Sequence, residues 1–257
     1  MTIAFFSDIH GNLPALQAVL ADLDRRRPDM IFCLGDLVGY APWPNEVVTE
    51  IRRRGIPTLA GNYDQGIGLA SSDCGCAYQT DTDKALGARS IAYTNEAVGE
   101  DERRYLRLLP KHMRLDFQDE PCTLSLLMVH GSPRRINQYL FEDFPEGSFS
   151  RLLEGAGADV LLFGHTHKLY HRTLAYQHEG ETRYRHALNL GSVGKPKDGD
   201  PRAAYLLLHL DEQTKLTDPH SLRPEFVRVG YDVEKAAQAV EASPLPDEYA
   251  DMLRKAY

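Results

Sequence analysis

The first 64 residues alternate between short apolar runs and amphipathic segments, and this order constrains the fold more than any other feature of the chain. Apolar runs at 3–6, 30–34 and 56–60 predict strands, whereas residues 13–23 and 45–54 carry apolar side chains at helical spacing. Strands that alternate with helices in close order form a parallel sheet covered by helices. Ligands of such sheets bind beyond the carboxyl ends of the strands, so the sequence predicts an α/β fold with a site there.

Polar turns that combine a glycine with potential metal ligands follow five of the predicted strands. They are Asp8 and His10 with Gly11, Asp36 with Gly35, Asn62 and Asp64 with Gly61, His130 with Gly131, and His165 and His167 with Gly164. Each turn taken alone is as compatible with a solvated loop, but five at the same topological position predict one shared site. Mixed oxygen and nitrogen ligands suit Mn, Fe, Zn, Ni or Co better than Ca or Mg.

The second half of the chain loses this alternation. Four strand-like segments follow one another without helices between them, at 169–176, 182–190, 203–210 and 224–229. Such succession predicts antiparallel pairing and a second or mixed sheet. The remaining segments are predicted as a loop or lid at 65–83, helices at 84–97, 102–109, 149–153 and from 233, and strands at 113–117, 123–129 and 160–163. No repeat or long linker interrupts the chain, so we expect a single domain over residues 1–257.

Composition narrows the functional classes. The net charge is −8 and the sequence pI is about 5.7, which disfavours a general nucleic-acid-binding surface because such surfaces are basic. No apolar run approaches the roughly 20 residues that span a bilayer, and residues 1–6 lack the basic start of a signal peptide. We therefore expect a cytoplasmic protein without a membrane partner, and the sequence leaves its oligomeric state open.

The cysteines suit a reducing compartment. Cys33 and Cys122 lie in apolar runs and are predicted to be core residues. Cys74 and Cys76 lie in a polar segment, and a C-x-C pair without a second pair is a poor zinc signature. We expect a plain loop there.

The five turns together resemble the motif set of the calcineurin-like metallophosphoesterases. The resemblance covers residues 3 to about 193, and two further segments, 35–40 and 189–194, resemble the compact bacterial and archaeal branch of that family. It implies a four-layer α-β-β-α sandwich of two mixed sheets flanked by helices, with residues 203–257 adding C-terminal strands and helices. It also implies two divalent metal ions, for which Mn or Fe is our choice and Zn, Ni and Co are alternatives.

The resemblance assigns roles to individual residues. Asp8, His10 and His167 would bind the first metal, Asn62, His130 and His165 the second, and Asp36 would bridge the two. A hydroxide formed between the metals would attack phosphorus, and the implied catalytic residues are Asp36, Asn62, Tyr63, Asp64 and His130. Asn12 is expected to cap the first helix rather than to bind metal.

Tyr63 departs from the family pattern, because many members carry a histidine there as the proposed general acid. An unperturbed tyrosine titrates near 10, against about 6.5 for histidine, so it is a poorer proton donor near neutral pH. Tyr63 is interpreted in three ways: as a hydrogen-bond donor to the phosphate, as a wall of the pocket, or as the acid. Asp64 is expected to orient a ligand or Tyr63. Because tyrosine is the poorer proton donor, we expect slow turnover or a preference for substrates with good leaving groups.

The expected activity is hydrolysis of phosphomonoesters or phosphodiesters. Cyclic nucleotides or other small diesters are our first choice of substrate, and a phosphoprotein is the second. The alternative is a non-catalytic interaction scaffold on the same fold, like the retromer subunit. Several side chains near the motifs are weaker candidates for phosphate binding or for the pocket wall, and each is as readily a solvated turn or loop packing. They are Arg134, Arg135, Lys195, Lys197, Arg202, Tyr40 and Trp43.

Overall fold

A computed structural model describes residues 1–78, 80–118 and 123–257. Its strands are β1 Thr2–Phe6, β2 Met30–Cys33, β3 His112–Phe117, β4 Leu124–Val129, β5 Val160–Phe163, β6 Leu169–His178, β7 Glu181–Leu190, β8 Ala203–His209 and β9 Arg223–Val229. Its helices are α1 Leu13–Arg26, α2 Pro44–Arg53, α3 Asn62–Gly68, α4 Asp81–Ala97, α5 Glu100–Leu108, α6 Glu146–Ala156, α7 Val233–Glu241 and α8 Glu248–Lys255. None of the helices in these ranges is long and apolar enough to cross a membrane.

The strands form two mixed sheets. The first has the order β2-β1-β8-β9, in which β1 and β2 are parallel and the other pairs are antiparallel. The second has the order β3-β4-β5-β7-β6, in which β4, β5 and β7 run parallel and the two edge strands run antiparallel. The prediction of antiparallel pairs in the second half is confirmed for β6 with β7 and for β8 with β9.

The sheets pack face to face between two layers of helices, which confirms the four-layer architecture. Because side chains alternate across a strand, Ile3 and Phe5 of β1 face the second sheet and meet Leu126 and Leu162 in one apolar cluster. Ala4 and Phe6 face the other way and pack on helices α1 and α2. The far side of the second sheet is covered by α6, whose Phe149 lies among the side chains of β5 and β6.

Two local predictions were wrong. Residues 56–60 form a single parallel bridge between Cys33 and Thr58 rather than a strand. Pro57 has no amide hydrogen to donate, and the Ala60 amide donates to the Pro110 carbonyl instead of to a strand. The segment predicted as a loop from residue 65 begins inside α3.

Helix ends follow the sequence more closely. Asn12 caps α1, since its Oδ1 accepts from the Ala15 amide at 3.2 Å, and Asp232 caps α7 in the same way through Lys235. The Asn12 cap was predicted. Cys33 is buried as predicted, whereas Cys122 lies outside the described residues.

Candidate metal centre

The turns after β1 and β5 bring three potential ligands together. Asp8 and His10 follow β1, and His167 follows β5. One ligand atom from each of the three lies within 4.8 Å of the others. His167 Nε2 is 3.2 Å from Asp8 Oδ1 and 3.1 Å from His10 Nε2. This group contains the three residues that the family resemblance assigns to the first metal.

A second group lies beside the first. Asp36, His130 and His165 also place one ligand atom each within 4.8 Å of one another. His130 Nε2 is 3.2 Å from His165 Nδ1 and 3.1 Å from the side-chain oxygen of Asn62. The Asn62 amide nitrogen donates to the Cys74 carbonyl at 2.9 Å, which directs the oxygen inward.

Asp36 reaches both groups. Its Oδ2 is 3.5 Å from His10 Nε2 and 3.3 Å from His130 Nε2, while its Oδ1 accepts from the Tyr63 amide at 2.9 Å. All seven side chains that the sequence singles out as ligands are at most 3% exposed. The structure therefore places the Asp36 carboxylate between a ring of the first group and a ring of the second.

Hydrogen bonds on the outer side of three rings decide which nitrogen faces the centre. His10, His130 and His167 each direct Nδ1 at a main-chain carbonyl. The distances are 3.1 Å from His10 to Val38, 2.9 Å from His130 to Leu34 and 2.6 Å from His167 to Lys195. A carbonyl only accepts, so Nδ1 carries the hydrogen, and Nε2 of each ring faces inward, where it can offer a lone pair to a cation.

Two of these inward-facing nitrogens lie close together, beside a carboxylate oxygen. The Nε2 atoms of His10 and His167 face each other at 3.1 Å, and Asp8 Oδ1 has no hydrogen-bond partner among the described residues. Acceptors at such distances repel one another unless a cation lies between them. The donor set therefore fits divalent metal ions with mixed nitrogen and oxygen ligation.

The protonation equilibria show how much negative charge the centre concentrates. Burial acts to raise the pKa of Asp8, but His167 and His130 lower it well below the usual range. Burial would lower the pKa of His130, yet Asp36 and Asp8 raise it to about 10. Burial is the main cause that lowers the pKa values of His165 and His167 to about 3. The two carboxylates thus draw a proton onto His130 while His165 and His167 stay neutral, and this pull on positive charge favours a cation.

The backbone at the centre is strained. Ten non-glycine residues of the described chain have positive φ, and five of these are the candidate ligands Asp8, His10, Asp36, His165 and His167. Each such conformation costs about 1–3 kcal/mol for a non-glycine residue. Concentration of this cost in one place is typical of a functional site.

Two glycines make room for the carboxylates. A Cβ atom on Gly61 would collide with Asp36 Oδ1, and a Cβ atom on Gly164 would collide with Asp8 Oδ2. The turns can approach the carboxylates only because these positions lack a side chain.

Asp64 and Tyr63 lie beside the two triads rather than within them. The Asp64 carboxylate accepts from the Leu37 amide at 2.8 Å and the Gly61 amide at 2.9 Å, so it ties two motif turns together. Tyr63 is 1% exposed and its hydroxyl has no partner among the described residues. Its ring packs edge-on against His10 with centroids 5.4 Å apart.

A cavity of about 470 Å³ adjoins the centre. Its wall includes Tyr40, whose ring lies 4.7 Å from that of His10, and Tyr139, whose ring lies 4.0 Å from that of His165. Lys195 and Lys197 line the same cavity. Tyr139 had no signal in the sequence, since it lies outside every motif and its proximity to His165 arises only in the folded chain.

The other side chains that the sequence offered as weak candidates lie in different parts of the structure. Arg134 and Arg135 are exposed and line a separate cavity that also touches His130. Arg202 pairs with Asp200 at 2.6 Å in an exposed turn. Trp43 packs on the apolar cluster formed by α4, α7 and α8.

Asn189 and Ser192 support the centre from behind. Asn189 donates to the Gly164 carbonyl at 3.0 Å, and Ser192 Oγ donates to the Asp8 carbonyl at 2.7 Å. Both are fully buried. The segment that contains them was noted in the sequence as a family resemblance, but its contacts with the turns after β1 and β5 emerge only from the fold.

Two mixed sheets between helical layers, with paired carboxylate and imidazole groups at the strand ends, define the architecture of a metal-dependent phosphoesterase. Residues 1–213 match the model of the calcineurin-like phosphoesterase superfamily domain. The chain belongs to this superfamily, and it is accordingly a hydrolase that acts on phosphoester bonds.

Similar proteins agree with this assignment. The uncharacterized protein MJ0912 of Methanocaldococcus jannaschii is 32% identical over 258 residues, covering 95% of this chain and 94% of that protein. The crystal structure of a metallophosphoesterase from Sphaerobacter thermophilus is 27% identical with a TM-score of 0.72, covering 100% of this chain and 99% of the other. The hypothetical protein PH1004 from Pyrococcus horikoshii shares the fold with a TM-score of 0.76 at 22% identity. The match covers 100% of this chain and 98% of the other.

Proposed function

We propose that the protein hydrolyses phosphoesters at a centre of two divalent metal ions. One ion would be bound by Asp8, His10 and His167, and the other by Asn62, His130 and His165. Asp36 would bridge them, because its Oδ2 faces a nitrogen of each triad. The observation that carries the proposal is that the Nε2 atoms of His10 and His167 face each other at 3.1 Å while the Nδ1 hydrogens of both rings point at main-chain carbonyls.

Two such ions supply an activated water and hold the phosphoryl oxygens. The chain's own contribution is to hold the ligands in place before substrate arrives. Three imidazoles are locked by main-chain carbonyls, and the Asn62 oxygen is directed inward by the bond from its amide to Cys74. Ligands positioned in this way do not have to reorganise when the ions bind. Mn or Fe is the pair that we favour on the mixed ligand set.

We propose that Tyr63 is a wall of the centre rather than the acid. Burial raises the pKa of Tyr63 well above its ordinary value of 10, which makes it a weaker proton donor than a free tyrosine. The leaving group then departs without protonation by this residue. Rates should fall steeply as the leaving-group pKa rises across a series of aryl phosphates, and a flat dependence would show that another group supplies the proton.

The cavity supports a small phosphorylated substrate over a phosphoprotein. Its volume of about 470 Å³ lies within the range of small-molecule sites. Phosphomonoesters and phosphodiesters both remain candidate substrates, with cyclic nucleotides and other small diesters included.

We also propose that residues 1–257 act as one domain, because Tyr249 of α8 packs on Tyr40 at the cavity with centroids 5.0 Å apart.

Metal analysis and an aryl phosphate assay test the proposal together. Protein loaded with Mn should carry two ions per chain and hydrolyse 4-nitrophenyl phosphate. The Asp36→Asn variant should lose bound metal and activity, because a neutral amide is a weaker ligand for two cations than a carboxylate. Asp101→Asn, which changes an exposed carboxylate on α5, is the matched control and should behave as the parent.

The outcomes separate the rival functions. Absence of activity with Mn, Fe, Zn, Ni or Co, in a protein that still folds, would favour the non-catalytic scaffold. Activity that survives Asp36→Asn with both ions retained would reject the proposed bridge.

A further inference from the structure

Two lysines lie in the cavity next to the metal centre without acidic partners. Lys195 is only 4% exposed, and no carboxylate oxygen of the described residues lies within 4.0 Å of the ammonium group of Lys195 or Lys197. A buried ammonium group without an opposite charge is unfavourable. Its retention points to a ligand that supplies the missing anion. The solvated turn considered from the sequence does not describe Lys195.

The main chain of these lysines is tied to a candidate metal ligand. The His167 ring donates to the Lys195 carbonyl at 2.6 Å, and the Lys197 amide donates to the His167 carbonyl at 3.1 Å. The Lys195 amide donates to Ser192 Oγ at 2.8 Å, and that hydroxyl donates to the Asp8 carbonyl. The lysines are therefore held at a set distance from the centre rather than on a loose loop.

An aromatic ring separates the centre from the ammonium group. The Tyr40 ring lies 4.7 Å from the His10 ring and 5.2 Å from Lys195 Nζ. Tyr249 lies beside Tyr40, with ring centres 5.0 Å apart, and its own ring centre is 5.9 Å from the same Nζ. A ligand that contacts both the metals and Lys195 must span about the width of one ring and pass along an aromatic wall.

Tyr139 and Phe141 extend this wall. Their rings are stacked with centroids 5.7 Å apart, and Tyr139 also covers His165. Aromatic surfaces of this kind favour stacking with a planar group of the ligand. The cavity thus offers aromatic faces that touch the rings of His10 and His165, followed by the amines of the two lysines.

Asp83 is the one acidic side chain among the described residues that line the cavity. The Asp83 carboxylate accepts from the Thr80 hydroxyl at 2.7 Å at the start of α4. Lys168 also lines the cavity and is exposed. Among the described residues that line the cavity, three lysines stand against this one carboxylate, so the side away from the metals offers amines that can bind an anionic group.

We infer that the substrate is a phosphoester whose leaving group carries a planar ring and a second anionic group, which Lys195 and Lys197 bind while the phosphoryl group sits at the metals. The second anion is a carboxylate or a further phosphate, since an ammonium group binds either. This inference rests on the proposed function of the same centre, and it narrows the substrates to those with two separated negative groups.

Binding of two matched ligands to manganese-loaded protein tests the inference without turnover. We would use 4-carboxyphenylphosphonate and 4-carbamoylphenylphosphonate, which have nearly the same shape and differ by one negative charge. Isothermal titration calorimetry should show tighter binding of the carboxylate, by about tenfold, because hydrogen bonds to charged groups contribute at that level. Lys195→Met and Lys197→Met should each reduce this ratio toward one.

Lys215→Met is the matched control, because it removes one positive charge from an exposed position away from the cavity. It should keep the parent ratio. Thermal unfolding of each variant checks that the fold is retained, and Lys195→Arg, which keeps the charge, should retain part of the preference.

Each outcome decides between the two proposals. Equal binding of the two phosphonates to the parent, or a ratio that survives both lysine variants, would overturn the inference and leave the metal centre standing. Failure of both phosphonates to bind in the presence of Mn would instead count against the proposed phosphoesterase site itself. Inorganic phosphate in a competing titration then separates anion binding at the metals from binding at the lysines.

Discussion

Asp64 is the residue whose loss should damage the centre most without removing a ligand. Its carboxylate is fully buried and accepts from the Leu37 amide at 2.8 Å and from the Gly61 amide at 2.9 Å. Leu37 follows Asp36 and Gly61 precedes Asn62, so the two bonds hold two candidate ligands in register.

The size of the effect follows from the two amides. Asp64→Ala leaves both buried N–H groups without an acceptor, and each such group costs about 1–3 kcal/mol. We expect the free energy of unfolding to fall by about 2–6 kcal/mol. Asp64→Asn retains one acceptor oxygen and should cost roughly half as much.

Urea unfolding followed by circular dichroism measures this loss, and metal analysis of the same samples should show reduced occupancy. Asp73→Ala is the control, since its carboxylate also accepts a backbone amide, from Gly75 at 2.8 Å, but in an exposed loop. It should cost less than about 1 kcal/mol, because water replaces the lost acceptor. A loss below 1 kcal/mol for Asp64→Ala would show that the two amides find other partners, and would refute the reasoning.

Three further perturbations have defined outcomes. Gly164→Ala should destabilise by about 1–3 kcal/mol in urea because its Cβ collides with Asp8 Oδ2, whereas Gly155→Ala, with open space around the new Cβ in α6, should be neutral or stabilising. Burial and a neighbouring histidine lower the pKa of His186 to about 4. Between about pH 6.5 and about pH 4 the unfolded chain therefore binds a proton at this residue and the folded chain does not. The free energy of unfolding should decrease by up to about 3 kcal/mol as the pH falls through this range. His186→Gln should flatten that part of the stability curve, and an unchanged curve would assign the slope to other groups. Tyr63→Phe should change turnover of 4-nitrophenyl phosphate by less than about threefold, because catalysis by a general acid contributes at least about a hundredfold; a loss of that larger size would make Tyr63 the acid.

Local pattern was sufficient to predict much of the architecture. Apolar runs at β1, β4 and β5 are long enough to identify strands without tertiary context, and the Asn12 cap follows from the sequence around α1. The strand prediction for residues 56–60 was wrong because an apolar run forms a strand only if its amide groups can pair with a neighbouring strand. Pro57 has no amide hydrogen for such a pair. Helix α3 has too short an apolar repeat to be recognised, and its start depends on a carboxylate that bonds to a turn 27 positions away.

The sequence by itself determined which residue types stand at the ends of the strands, because strand termini and glycine turns are local features of the chain. Only the tertiary structure decided how those residues meet. The lone pair of His10 faces that of His167 because Val38 and Lys195, both distant in sequence, direct the outer nitrogens of the two rings. In the same way, the sequence leaves Lys195 as either a phosphate-binding candidate or a solvated turn residue, and only the fold shows it buried, with the rings of Tyr40 and Tyr249 near its amine. Burial and the direction of a lone pair are set by neighbours across the fold, and a linear pattern does not contain them.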